Sequence, residues 1–277
     1  MLRVAPKTEG YAPRSLEFVP LASGSRGNAT LVRGPRGCIL VDAGLDRASL
    51  LDRLDHVRQR ADAIDAILVT HRHKDHVRSA ASLARRHKIR LYATERCLEH
   101  QQRETIDQWT RVFPGTSFDV AGYRVSAIRL SHDAPETCAY VIDDGCTRIG
   151  IATDLGSSSG GLIAGFSALD VLLLEFNYDP EMLRNGPYSE ALKARVSGER
   201  GHLSNEQAAR IVMQVKSARL RRLYLAHLSE RNNTRELALS AAHSAFTATE
   251  ASRVELVIAE QDTVSPAWCS LAPAGKP

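Results

Sequence analysis

Apolar residues along the chain follow two periods. Short apolar runs bounded by Gly, Pro, Asn or Asp are typical of strands, and apolar residues that recur every three to four positions are typical of amphipathic helices. The predicted strands are 16–22, 29–33, 38–42, 66–70, 89–93, 123–130, 139–143, 148–153, 171–176, 223–226 and 254–258. The predicted helices are 46–59, 77–87, one within 94–117 that includes Trp109, 189–196, 204–218 and 235–247.

The order of these elements predicts the fold class. In the helix at 46–59, Leu50, Leu51, Leu54 and Val57 form one apolar stripe flanked by charged residues. Each half of the chain begins with strands and ends with helices, which favours two sheets packed face to face with helices outside. We therefore predict an α+β fold in one domain over residues 1–265, and a disordered tail over residues 266–277.

Length and composition favour a cytoplasmic protein. The 277 residues, of which 43% are hydrophobic, can bury a sizeable core. No secretory apolar segment begins the chain, and no stretch approaches the roughly 18 apolar residues of a membrane span. The five cysteines are an odd number without Cys-x-x-Cys spacing, which predicts reduced thiols. A contact of Cys138 with Cys146 across a hairpin is the alternative.

The charge pattern leaves two interpretations open. The net charge is +4, and 30 of the 36 basic residues are arginine, whose planar guanidinium matches a phosphate group. A nucleic-acid partner would explain this usage, and so would arginines on solvated helix faces.

Residues 71–76 place three histidines and an aspartate in one turn after the predicted strand 66–70. Imidazole nitrogen and carboxylate oxygen are the usual ligands of zinc, and both also suit manganese or iron. Alternate residues of an extended turn face the same way, so His71 and His73 could bind one ion while Asp75 and His76 bind a second. A solvated polar loop is the alternative, but so many potential ligands in one turn favour the metal site.

Three further ligand candidates each follow a predicted strand. They are His132, Asp154 and His227. Each by itself could be a capping or core-edge residue. Their shared position favours one site, because a site between two sheets draws its ligands from loops on one edge.

The order of these motifs resembles that of the metallo-β-lactamase fold superfamily. The five motifs of that family are matched in turn by Val41-Asp42-Ala43-Gly44, residues 71–76, His132, Asp154 and His227. The flanking segments 21–28, 131–134, 153–156, 174–179 and 201–205 resemble the bacterial YycJ/WalJ subgroup, which is described as double-stranded DNA exonucleases. The resemblance spans residues 18–230 and implies a metallo-β-lactamase-like, four-layer αββα sandwich.

The resemblance also implies a role for each matched residue. Two divalent ions, zinc or manganese with iron also compatible, would be bridged by Asp154. The first ion would bind His71, His73 and His132, and the second would bind Asp75, His76 and His227. Asp42 would orient a ligand imidazole, and a plain turn residue is the alternative.

Two other residues point to phosphodiester chemistry. Ser204 and Gln207 form a predicted capping box, which places His202 near a helix N-terminus, where an anion is favoured. A similar histidine loop occurs in the tRNA 3′-processing endonucleases of the superfamily, where it pairs with a glutamate that Glu175 matches. The predicted catalytic residues are Asp75, from the turn at 71–76, together with His202 and Glu175. His202 would be protonated, either to stabilise phosphate or to protonate the leaving alkoxide. A capping or supporting role is the alternative for His202.

The segment 23–28, rich in glycine and serine, is predicted to form a rim over the site. Arg26 and Asn28 are its candidate substrate contacts, and a plain hairpin turn is the alternative. Residues 177–201 could form a lid over the site or solvated helices.

Together these interpretations predict a dinuclear metal-dependent hydrolase that cleaves phosphodiester bonds with a hydroxide held between ions roughly 3.5–4 Å apart. A DNA exonuclease is favoured, and the expected partner is nucleic acid, with DNA favoured over RNA. Hydrolysis of RNA ends or of a small phosphodiester is the alternative among enzymes. A non-catalytic, metal-binding regulatory module on the same fold is the alternative among other classes.

Overall fold

The strands form two mixed sheets of seven strands each. A computed structural model describes residues 15–97, 106 and 108–270. The strands of the first sheet are β1 (Glu17–Ala22), β2 (Ala29–Gly34), β3 (Gly37–Val41), β4 (Ala66–Leu68), β5 (Arg90–Ala93), β6 (Trp109–Arg111) and β14 (Trp268–Cys269). The strands of the second sheet are β7 (Ser117–Val120), β8 (Tyr123–Arg129), β9 (Cys138–Asp143), β10 (Arg148–Ala152), β11 (Val171–Glu175), β12 (Arg222–Ala226) and β13 (Glu255–Ile258). Their orders are β14-β1-β2-β3-β4-β5-β6 and β13-β12-β11-β10-β9-β8-β7.

Short helices connect the strands. They are α1 (Arg47–His56), α2 (Lys74–Val77), α3 (Ala80–His87), α4 (Gly160–Gly165), α5 (Pro180–Asn185), α6 (Glu190–Ser197), α7 (Asn205–Val215), α8 (Arg235–Ser244) and α9 (Ala248–Ala251), with 3₁₀ turns at Ala61–Ala63 and Glu95–Cys97. The predicted capping box of Ser204 and Gln207 at the start of α7 is confirmed. Among the described residues, no helix has the length and apolar character needed to cross a membrane.

Alternating side chains of the strands produce three apolar layers. In β12, Leu223 and Leu225 pack in the layer shared with α7 and α8, whereas Tyr224 packs in the layer between the two sheets. In β3, Leu40 packs in the layer shared with α1 and α3, and Ile39 packs between the sheets. Because successive strand residues face opposite ways, each sheet buries both faces. Helices, sheet, sheet and helices thus form the predicted αββα sandwich, which is confirmed.

The predicted helix around Trp109 is wrong. Trp109 lies in β6, a short strand that pairs in parallel with β5 through the register of Trp109 with Leu91. Its half-buried side chain packs against the core layer beneath α1 and α3. Pairing with a distant strand therefore overrides the local pattern. The remainder of the predicted helix, at 98–105 and 107, lies outside the described residues.

The predicted disordered tail is also wrong for its first part. Phe18 of β1 pairs with Trp268 of β14, and Ser270 donates its backbone N–H to the carbonyl of Leu16. The tail thus supplies an edge strand to the first sheet, which local composition does not reveal. Residues 271–277 lie outside the described residues.

The cysteines are free thiols, as predicted. Cys138 is buried in β9, whereas Cys146 is exposed, so the alternative contact across the hairpin does not form. Burial raises the pKa of the Cys138 thiol to about 12. A buried, protonated thiol of this kind serves packing.

Parallel pairing brings the loops of interest to one edge of the sandwich. β3 and β4 are parallel in the first sheet, and β10, β11 and β12 are parallel in the second. The carboxyl ends of parallel strands lie at the same edge of a sheet, where open α/β sheets bind ligands. The loops after these five strands carry most of the predicted site residues.

Candidate metal centre

Three site residues have left-handed backbones just after strands. The φ angles are 60° at Asp42, 55° at Asp154 and 54° at His227, after β3, β10 and β12 respectively. Such angles are uncommon outside glycine and cluster at functional sites. Each residue redirects the chain at its strand end, and the three side chains surround the ring of His76.

Backbone hydrogen bonds hold the turn at 71–76 against the loop after β3. The carbonyl of Asp75 accepts from the N–H of Asn28 at 2.7 Å, and the carbonyl of His76 accepts from the N–H of Ala43 at 2.8 Å. At Gly44 a Cβ atom would overlap the Asp75 carbonyl. Only glycine therefore allows this approach.

The first predicted ligand set comes together. Nε2 of His71 lies 3.1 Å from Nδ1 of His73, which lies 3.3 Å from Nε2 of His132. These three nitrogens are close enough together to hold one metal ion.

The second predicted set also comes together. Nε2 of His76 and Nε2 of His227 lie 3.5 Å and 3.7 Å from Oδ2 of Asp75. Asp154 approaches from the other side, with Oδ2 placed 2.9 Å from Nε2 of His76. Asp154 also groups with His71 and His76 in a set that could hold a metal, so it lies between the two predicted sets.

Unsatisfied buried atoms show that this cluster fits a cation. Within the described residues, Oδ2 of Asp154 and Nε2 of His227 are buried and have no partner with hydrogen-bond geometry, although Oδ2 of Asp154 lies close to Nε2 of His76. Leaving a buried polar atom unpaired costs about 1–3 kcal/mol. A divalent cation among these nitrogen and oxygen atoms would remove that cost.

The electrostatics of the cluster favour the coordinating form at Asp154 and His71, whereas the pKa of His76 and that of His227 are raised, so a cation would displace a proton from those two rings. Burial alone raises the pKa of Asp154, but the charges of His227 and His76 hold it well below its ordinary value. Burial and the charge of His76 hold the pKa of His71 well below its ordinary value, which favours the neutral imidazole. Carboxylate and neutral imidazole are the coordinating forms.

Asp42 contacts His76, as expected for a residue that orients an imidazole. Oδ2 of Asp42 lies 2.7 Å from Nδ1 of His76, and Thr70 donates its N–H and its hydroxyl to the same carboxylate, each at 2.8 Å. Although burial lowers the pKa of His76, the charges of Asp42 and Asp154 raise it to about 10. The contribution of Thr70 was not predicted, since a threonine at a strand end carries no sequence signal.

Glu175 and His202 form the pair that the sequence predicts. Oε1 of Glu175 lies 2.6 Å from Nδ1 of His202 and 3.0 Å from Nδ1 of His227. Oε2 accepts from the backbone N–H groups of Leu155 and Leu203 at 3.1 and 3.3 Å, which fixes the carboxylate. Burial lowers the pKa of His202, but the charge of Glu175 raises it above its ordinary value.

Asp133 joins the centre although the sequence assigned it no role. Its Oδ1 lies 3.3 Å from Nε2 of His73 and 3.2 Å from Nε2 of His132, and this buried atom makes no hydrogen bond within the described residues. Its Oδ2 accepts from Nε and Nη2 of Arg195 at 2.9 and 2.7 Å. The sequence signal that could have identified Asp133 is its position directly after His132, at the end of a strand.

The two rim residues differ in their surroundings. Asn28 is buried, and its Nδ2 lies 3.0 Å from Nε2 of His76. Arg26 is exposed and pairs with Asp262 at 2.6 Å and Glu230 at 2.9 Å. Substrate contact by either residue stays a prediction.

A cavity of about 170 Å³ opens beside the centre, and helix α6 covers part of it. Its lining includes Ser25, Tyr188, Arg195, His202 and His227. Tyr188 and Arg195 of the predicted lid thus line the same cavity as His202 and His227. The cavity offers a ligand both the cationic Arg195 and the ring of His202.

Comparisons with known proteins identify the family of the chain. The chain matches the beta-lactamase superfamily domain over residues 38–228. Exodeoxyribonuclease WalJ of Streptococcus pneumoniae is 33% identical over 226 residues, which cover 79% of this chain and 83% of the relative. Exodeoxyribonuclease YycJ of Bacillus anthracis is 33% identical over 227 residues, which cover 80% of this chain and 86% of the relative.

A solved structure shares the fold. The metallo-beta-lactamase fold protein YhfI from Bacillus subtilis matches with a TM-score of 0.71 at 19% identity, and the match covers 92% of this chain and 99% of that chain. The family resemblance noted in the sequence is confirmed. The chain belongs to the beta-lactamase superfamily and has its metallo-β-lactamase fold.

Proposed function

We propose that this protein is a dinuclear metal-dependent phosphodiesterase that acts on DNA as an exonuclease. The observation that carries the proposal is the hydrogen bond between Glu175 and His202, which sets a second functional group beside the metal-ligand sets. The 33% identity to two proteins named exodeoxyribonucleases over about four-fifths of the chain supports DNA as the substrate.

The proposed ligands follow the two sets described above. One ion would be held by His71, His73 and His132, the other by Asp75, His76 and His227, and both by Asp154. Nitrogen and oxygen donors of this kind suit zinc or manganese, and iron is compatible. Bound divalent ions lower the pKa of a coordinated water and neutralise charge on a phosphoryl oxygen.

The protein side chains would orient the ligands. Asp42 accepts from Nδ1 of His76, and Glu175 lies next to Nδ1 of His227, so both rings present Nε2 to the centre. A carboxylate behind a ligand imidazole fixes its tautomer and raises its basicity. This arrangement supports the assignment of His76 and His227 as ligands.

His202 would supply the proton for the leaving group. Its Nδ1 is held by Glu175, so Nε2 is left for substrate in the 170 Å³ cavity. As the phosphorus–oxygen bond breaks, the leaving oxygen would take the proton from Nε2. General acid catalysis of this kind contributes about 10²–10⁴-fold to the rate.

The test is to incubate metal-loaded protein with end-labelled duplex DNA, single-stranded DNA, RNA and bis-p-nitrophenyl phosphate. Nucleotide release from DNA ends is expected, and a chelator should abolish it. Turnover of RNA ends alone or of the small diester alone would establish the corresponding alternative. No turnover of any substrate, with both metals confirmed bound, would reject the enzyme and leave the regulatory module.

A cytoplasmic location completes the proposal. DNA is the intended substrate, and the free thiols, three of them buried, suit a reducing compartment. Fractionation of cells that express the full chain would test it.

A further inference from the structure

A second and larger cleft lies beside the metal-binding turn. Its volume is about 510 Å³, and its walls include Ser25 together with Lys74, Asp75 and Arg78. Ser25 also lines the smaller cavity that contains His202 and His227. The two spaces therefore adjoin at Ser25, with the proposed metal ligand Asp75 in the wall of the larger one.

Two of the cationic side chains in this cleft are already engaged. Arg26 pairs with Asp262 and Glu230, as described above. Arg53 donates to the backbone carbonyls of Leu21 and Gln261. The guanidinium groups of these two arginines already have partners within the protein and connect the walls of the cleft.

Lys74 and Arg78 differ from them. Both are exposed, and within the described part of the chain neither side chain makes a hydrogen bond or a salt bridge. The charge of Arg78 contributes to lowering the pKa of Asp46, but the Asp46 carboxylate is bonded to the N–H and hydroxyl of Ser49 at the start of α1. The cleft thus presents two cations that the protein does not neutralise by direct contact.

The spacing of the two cations suits a linear polyanion. Lys74 is the first residue of α2, and Arg78 follows it with α-helical backbone angles of −47° and −42°. Residues four apart on a helix have Cβ atoms about 5–6 Å apart on one face. Two long side chains at that spacing can each take one of two neighbouring phosphates, whereas a small diester could reach only one of them.

We propose that Lys74 and Arg78 bind neighbouring backbone phosphates of the nucleic-acid strand whose scissile bond lies at the metal centre. The inference rests on the proposed function and narrows it, because it makes the substrate a polymer that extends from the 170 Å³ cavity into the 510 Å³ cleft.

The experiment compares two substrates with the metal-loaded protein. Lys74→Ala and Arg78→Ala should each lower kcat/KM for a duplex DNA at least about tenfold more than for bis-p-nitrophenyl phosphate, since each removes one phosphate contact. The plot of log kcat/KM against log salt concentration should become shallower by about 0.9 for each variant. Metal content, measured in parallel, should match that of the wild type.

The matched control is Arg85→Ala. Arg85 is an exposed arginine on the neighbouring helix α3, and it does not line the cleft. The Arg85→Ala variant should leave both kcat/KM values and the salt dependence at the wild-type level. Equal losses on both substrates, or no loss on DNA, would overturn the inference while the proposed function stands. A wild-type protein that turns over neither substrate would instead overturn the proposed function.

Discussion

Nδ1 of His202 lies 2.6 Å from Oε1 of Glu175, and the same oxygen lies 3.0 Å from Nδ1 of His227. One buried carboxylate therefore orients two imidazoles, of which one belongs to the proposed metal-ligand set and the other faces the substrate cavity. Beyond Glu175, Nε2 of His227 lies 3.7 Å from the proposed ligand Asp75, whereas the ring of His202 is left to contact substrate in the cavity. Removal of His202 should therefore affect turnover, whereas removal of Glu175 should affect both turnover and metal binding.

Replacement of His202 by alanine is the first prediction. We expect kcat on DNA to fall about 10²–10⁴-fold, because the leaving oxygen would depart without its proton donor. Metal content should stay at the wild-type level. His243→Ala removes an exposed histidine near the end of α8 and is the matched control. Loss of metal in His202→Ala would mean that this ring supports the ligands instead.

Asp42→Asn tests the orientation of His76. Asparagine tolerates the left-handed backbone at this position, but its amide would donate toward Nδ1 of His76. The ring proton would then move to Nε2, the atom that faces the proposed metal site. We expect metal affinity, measured against a competing chelator, to fall about 10–100-fold. Unchanged affinity would show that Asp42 does not act through His76.

Asp133→Asn tests a residue that only the structure identifies. Its buried Oδ1 lies next to the rings of His73 and His132, so loss of the charge should weaken metal binding at that set, by about 10–100-fold. Metal titration of the variant should show one weakened and one unchanged site. Asp119→Asn, at an exposed aspartate of β7, is the control. Two unchanged sites would contradict the prediction.

Gly44→Ala tests the close approach beneath the turn at 71–76. The new methyl group would overlap the carbonyl of Asp75, so the turn at 71–76 must shift. We expect a loss of metal content and a fall in the free energy of unfolding of about 1–3 kcal/mol or more. Gly160→Ala, at a helix start where a Cβ meets open space, should leave both quantities near wild type. A Gly44→Ala protein with full metal content would contradict the prediction.

The fold and the grouping of the candidate ligands could be predicted because their signals are local. Each ligand candidate follows an apolar strand, and parallel strands that end at one edge of a sheet must bring such residues together. The capping box at Ser204 is likewise a short-range pattern. Trp109 and the strand at Trp268–Cys269 were mispredicted because their structure depends on pairing with strands far away in the sequence.

The sequence by itself determined the fold class and the types and order of the candidate ligands, since these follow from periodicity and from residues next to strand ends. Only the tertiary structure decided that Glu175 is shared by two histidines, that Asp133 approaches His73 and that Lys74 and Arg78 face a common cleft. The physical reason is that these relationships join side chains from separate strands and loops. Their distances are set by sheet register and by left-handed residues such as Asp154 and His227, not by sequence spacing.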